Sequence, residues 1–132
     1  MADNFRELFV ESSDSSTVNE GTTATITVFD GKLYKTSILQ YDGYDSFMKP
    51  ELNKYWDSPK KAAGLVTKTG ELRGVYEGKA EYYTDRKLLQ ITKDPDRAVT
   101  NASDCYYKYF YDGIDWYWTN KSIRDFDEMK LI

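Results

Sequence analysis

The chain contains no histidine and a single cysteine, Cys105. Without histidine neither a Ser-His-Asp nor a Cys-His nucleophile system can be assembled, and one thiol alone cannot build the usual zinc sites. One cysteine also forbids an internal disulfide. Set among aromatic residues, Cys105 reads as a small buried hydrophobe rather than a reactive thiol, which suits a reducing cytoplasm. No stretch approaches the roughly 18 apolar residues of a membrane span. MADNFRELFV at the N-terminus mixes acids into its apolar residues and lacks the basic start and continuous apolar run of a secretory signal. The expectation is therefore a cytoplasmic chain with no membrane partner. A basic excess is missing too: 18 Lys and Arg stand against 22 Asp and Glu, a net charge of −4. That balance argues against nucleic-acid binding and is too small for a DNA mimic. Any chemistry would rest on carboxylates, lysine or tyrosine, with no cofactor expected.

At 132 residues the chain is long enough for one domain that removes roughly two-thirds of its unfolded surface from water without a staple. Residues 1–22 read as an arm and linker: Phe5, Leu8 and Phe9 fall at helical spacing, followed by the polar stretch ESSDSSTVNEGT. The arm can pack on its own domain or dock on a partner or a second copy, which would make a homo-oligomer. Residues 23–132 read as a single α+β domain. TATITVF, Asp30-Gly31 and KLYKTSILQY form a β-hairpin pattern. A two-residue loop pairs Val28 with Leu33 and leaves Lys35 on the face of Ile26. A three-residue loop aligns Ala24, Ile26 and Val28 with Ile38, Thr36 and Tyr34, and is the favoured register. Two helix starts follow, with Pro50 at the first helical position of KPELNKYW and Pro59 opening DSPKKAAGLV behind Asp57 or Ser58. AEYYT and KLLQITK read as strands around Asp85-Arg86, and DPDRAVTNASD as a loop with room for one helical turn. SIRDFDEMKLI reads as a short helix or an irregular tail. Strands outnumber helices and join mainly through hairpins, so the pattern predicts an antiparallel sheet of about five strands with two helices on one face.

Eight of the fourteen residues in CYYKYFYDGIDWYW, from Cys105 to Trp118, are aromatic. A two-residue turn at Asp112-Gly113 faces Tyr111 with Ile114, Tyr109 with Trp116 and Tyr107 with Trp118, an apolar face suited to the core. The other face carries Tyr106, Lys108 and Phe110 against Asp115, Tyr117 and Thr119, a mixture suited to water or partial cover. With Lys108 its lone cation, that face lacks the interleaved charges of a base-stacking platform.

The stretch QYDGYDSFMKPEL, residues 40–52, leaves a strand, turns at Asp42-Gly43 and enters the first helix. It resembles a motif of small, largely uncharacterised bacteriophage and prophage proteins, in which a strand ends in Trp-Asp-Gly-Tyr-Pro and continues through two glycines to Pro, a polar residue and Leu. Asp42, Gly43, Tyr44, Pro50, Glu51 and Leu52 match. Tyr41 and Asp45 replace the Trp and Pro, and Phe47 and Lys49 stand where the glycines would be. Those proteins also end in a tyrosine-rich strand, an Asp-Gly turn and a Trp-Tyr strand, to which YKYFYDGIDWYW is similar. The resemblance spans roughly residues 23–120 and implies a phage-type origin with action in the host bacterial cytoplasm.

Three functions are compatible with these residues. The first is a non-enzymatic accessory protein that binds and modulates a bacterial host or defence protein. The second is a small-ligand protein that sequesters a nucleotide signal through Tyr44, Lys49 and the polar side of the sheet, although no phosphate-binding motif is present. The third is an enzyme that works through Asp42 with Asp45 or Glu51. The candidate binding residues are Tyr41, Asp42, Gly43, Tyr44, Phe47 and Lys49, in a loop whose Phe47 and Met48 are expected near the surface. The plain alternative is a turn in which Gly43 supplies positive φ, Asp42 bonds its own backbone and Tyr44 anchors on the core.

Overall fold

The computed structural model describes residues 22–66, 71–83, 88, 90–100 and 107–132. Among the described residues eight strands form one mixed sheet: β1 (Ala24–Phe29), β2 (Tyr34–Leu39), β3 (Glu71–Tyr76), β4 (Lys79–Tyr82), β5 (Gln90–Thr92), β6 (Tyr107–Tyr111), β7 (Trp116–Thr119) and β8 (Lys130–Leu131). The described helices are α1 (Asp45–Tyr55), α2 (Pro59–Ala63) and α3 (Pro95–Thr100), with one 3₁₀ turn at Phe126–Glu128. The strand order is β4-β3-β2-β1-β6-β7-β8, and β5 shares the β3 side of β2.

The α+β class stands, but the sheet is neither antiparallel nor five-stranded. β1 runs parallel to β6, and β2 parallel to β3. Parallel neighbours need a crossover, and α1 and α2 provide the one between β2 and β3. The strands read in AEYYT and KLLQITK are present as β4 and β5, but among the described residues they do not pair with each other: β4 pairs with β3 and β5 with β2. Asp85-Arg86, the N-terminal arm, Cys105 and Tyr106 lie outside the described residues.

Both faces of the sheet are covered. On one face Ala24, Ile26, Val28, Leu39, Tyr109, Tyr111 and Trp116 pack under Met48, Leu52 and Trp56 of α1 and its C-cap, together with Ala62, Leu65 and Val66 of the α2 segment. On the other, Phe110, Tyr34 and Tyr117 pack with Ala98 and Val99 of α3 and with Ile123, Phe126 and Met129. The second face of the aromatic hairpin is therefore a second small core, not a wet surface: Phe110 is 1% exposed. Alternation explains the division, since Tyr109 and Phe110 are adjacent in a strand and must point to opposite faces.

Both Asp-Gly hairpins are offset from the expected registers for one reason. Asp30 and Asp112 close their turns rather than occupy them, with Asp30 N–H donating to the Leu33 carbonyl and Asp112 N–H to that of Asp115. Each carboxylate also accepts two backbone N–H bonds from the residues that follow. The glycine then takes the first loop position with positive φ, 99° at Gly31 and 102° at Gly113, which glycine adopts without steric cost. Val28 thus pairs with Lys35, and Tyr111 with Trp116. Lys35 is tolerated on the face of Ile26 because it lies at the strand end, 3.1 Å from Asp30.

Pro50 is inside α1, five residues beyond its first residue, instead of opening it. The helix begins earlier because the segment from Asp45 already presents Met48, 0% exposed, to the core beside Leu52. α2 opens as expected, with Ser58 accepting a bond from the Lys61 N–H and Pro59 at the first position.

Candidate functional site

The sheet holds its helices through side chains that cap their terminal backbone groups. The Tyr109 hydroxyl donates to the Gly43 carbonyl at 2.7 Å just before α1, and the Trp116 indole N–H donates to the Trp56 carbonyl at 2.7 Å just after it. Tyr82 bonds the Gly64 carbonyl and Ser37 that of Leu65, fixing the end of α2. The buried Glu51 carboxylate accepts from the N–H groups of Glu77 and Gly78 at 2.9 Å each and from the Trp56 indole at 3.0 Å. This latch ties α1 to the β3–β4 turn. Nothing local in the sequence marks it.

Against this frame the loop from Tyr41 to Tyr44 is clamped on both sides of Asp42. Tyr41 N–H donates to the Arg73 carbonyl at 3.2 Å, extending the β2–β3 pairing, and Gly43 N–H donates to the Thr22 carbonyl at 2.9 Å. Gly43 is buried, and a Cβ there would lie 2.7 Å from the Ala24 Cβ and 2.9 Å from the Thr22 carbonyl oxygen. Its role is close approach, not positive φ. The left-handed residue is Asp42 itself, at φ 60°. Aspartate tolerates that region better than most side chains, yet at a cost that glycine would avoid.

The Asp42 carboxylate is half-buried and has no hydrogen bond or ion pair among the described residues. Loss of water contact raises its pKa above 3.8. The Tyr44 phenol is raised as well, first by burial and then by the charge of Asp42. Tyr109, deep under the loop, is raised far more by burial, with Asp45 and Tyr107 adding to the effect.

The candidate residues do not form one patch. Phe47 and Lys49 are two residues apart in α1, so their side chains point about 200° apart around its axis. Phe47 lies on the flank of Glu51, with its ring 6.2 Å from that of Tyr44. The Arg73 guanidinium lies 5.5 Å from the Tyr41 ring centroid. Lys49 lies on the other flank, its ammonium 3.6 Å above the Trp118 ring and 3.6 Å from Asp45. Met48, expected near the surface with Phe47, is core.

Of the three carboxylates considered for acid–base chemistry, Glu51 is engaged with three N–H groups and Asp45 with Lys49, which leaves Asp42 alone. The described residues contain no group of three or more His, Cys, Asp or Glu side chains able to hold a metal, and no described helix is long and apolar enough to cross a membrane. Comparison with protein-family models, with curated proteins and with solved structures finds no match.

Proposed function

We propose that this chain is a non-enzymatic binding protein that engages a protein partner through the flank of Tyr41, Asp42, Tyr44 and Phe47. The observation that carries the reading is Asp42: a half-buried carboxylate with no hydrogen bond or ion pair among the described residues, held in left-handed backbone by bonds on either side. Such strain and desolvation oppose folding and tend to persist where function uses them. Half-buried tyrosine and phenylalanine rings beside it are the side chains that most often anchor protein interfaces. The resemblance of QYDGYDSFMKPEL and YKYFYDGIDWYW to phage proteins supports a phage-type accessory factor that binds a bacterial host or defence protein in the cytoplasm. The small-ligand reading brings Tyr44 and Lys49 to one ligand together with the polar side of the sheet. Tyr44 turns toward Phe47 and Lys49 toward Trp118, which weighs against it.

The test is affinity capture from bacterial lysate with the full chain, comparing wild type with Asp42→Asn/Tyr44→Ala and with Lys49→Glu on the opposite flank. Proteins enriched by wild type and by Lys49→Glu but lost from the double variant support the proposal. Equal capture by all three folded proteins refutes it.

A further inference from the structure

Resting on that reading of the loop, we propose that Asp42 is the receptor for a cationic side chain, an arginine guanidinium or a lysine ammonium, presented by the partner between Tyr41 and Tyr44. The carboxylate offers two oxygens that no described group uses, and an ionised carboxylate is strictly an acceptor, so its complement is a donor. A charged donor offsets the desolvation that a neutral one would leave unrelieved.

The local cation does not fill this role. Arg73 is directed to Glu81, with its Nε 3.4 Å from the Glu81 Oε1, and to the Tyr41 ring. Elsewhere the same fold sets cations on aromatic rings, as Lys49 on Trp118 and Lys54 on Tyr55. An incoming cation at Asp42 would meet the same combination of carboxylate and ring, which favours both guanidinium and ammonium. Rigid presentation adds to this: with Tyr41 N–H, Gly43 N–H and the Gly43 carbonyl all bonded, little conformational freedom is lost when the cation arrives.

The probe is a short peptide, acetyl-Gly-Arg-Gly-amide, titrated into the ¹⁵N-labelled full chain, with the neutral citrulline peptide of the same size as control. The arginine peptide should shift the amides of residues 41–44 saturably, and both the citrulline peptide and the Asp42→Asn variant should weaken binding by roughly tenfold or more. The acetyl-Gly-Lys-Gly-amide peptide should shift the same amides. Equal shifts from arginine and citrulline peptides, undiminished binding to Asp42→Asn, or no shift at residues 41–44 would overturn the inference. These outcomes are separable from the lysate experiment. Capture undiminished in the single Asp42→Asn variant but lost in Asp42→Asn/Tyr44→Ala would leave the loop as an interface and remove the cation from it.

Discussion

Replacing Gly43 by alanine tests the clamp that presents Asp42. The new methyl carbon would lie 2.7 Å from the Ala24 Cβ, at the start of the first strand, and 2.9 Å from the Thr22 carbonyl oxygen just ahead of it. Relieving such overpacking costs about 1–3 kcal/mol. Displacing the loop also loosens the buried bond from the Tyr109 hydroxyl to the Gly43 carbonyl, worth about 1 kcal/mol. Because the φ of Gly43 is not positive, alanine recovers about 0.4–1 kcal/mol by restricting the unfolded chain. The balance is a net loss of about 1–3 kcal/mol, a sizeable part of the total stability of about 5–15 kcal/mol usual for a domain. In urea unfolding the midpoint should fall by roughly 1 M with the slope unchanged. A midpoint equal to or above that of wild type would show that Gly43 sits in open space, and the account of the clamp would fail.

Two aspartates should respond to acid with opposite signs. Asp42 has its folded pKa raised by burial, so its ionised form opposes folding; Asp42→Asn should be the more stable protein at pH 7, with the difference shrinking as pH falls through the raised value. Asp30 is lowered to about 2 by the N–H groups of Leu33 and Lys32, so its stabilisation is present above 3.8 and lost as pH falls toward 2; Asp30→Asn should be the less stable at pH 7 and converge with wild type in acid. Thermal unfolding between pH 7 and pH 2 checks both, and an Asp42→Asn protein less stable than wild type at pH 7 would contradict the first. Glu51→Ala orphans three N–H donors and should cost about 3 kcal/mol or more, with Glu51→Gln recovering part of it; a neutral alanine variant in urea unfolding would remove the latch from the account. Trp116→Ala, which empties a site 2% exposed and breaks the indole bond to Trp56, should cost about 3–5 kcal/mol, and Tyr117→Ala on the thinner second core less; equal losses would mean that the two cores are wrongly weighted.

The apolar face of the aromatic hairpin was legible because strand alternation survives an error in the turn. Moving Asp112 from the loop to its closing pair shifts the register by two residues and leaves Tyr109, Tyr111 and Trp116 on the same face. In the first hairpin the favoured three-residue loop differs from the observed register by one, which exchanges faces, and the Asp-Gly chemistry shared with the second hairpin was the missing cue. The parallel pairings were not legible. β1 meets β6 more than 80 residues later in the chain, and no turn signal reports such a contact. The second core went unseen because the two segments that cover Phe110, α3 and the one around Phe126, read as a loop and as a short helix or irregular tail with no face assigned to them.

The candidate loop was found from its residues, but its internal logic was inverted. Sequence reasoning gives the positive φ to Gly43, the residue that bears it most cheaply; the structure gives it to Asp42 because Gly43 is needed for space against Thr22 and Ala24. The division of Phe47 and Lys49 between two flanks follows from helical periodicity. It was hidden because the predicted helix started at Pro50 and left both residues in the loop. On the proposed reading, an ionised Asp42 that lowers stability while serving a binding surface is the kind of compromise expected where activity and stability compete.

Hydrogen exchange of the full chain, alone and with the partner recovered by capture, tests the central claim most directly. At the start of α1 the Asp45 and Ser46 N–H groups have no intrahelical acceptor, and Tyr44 at the N-cap makes no side-chain capping bond, so these two amides should exchange readily in the free protein. If the Asp42 flank is the recognition surface, complex formation should slow exchange across residues 41–47. Protection confined instead to the exposed tip at Ile114 or the edge strand at Leu131, with residues 41–47 unchanged, would contradict it.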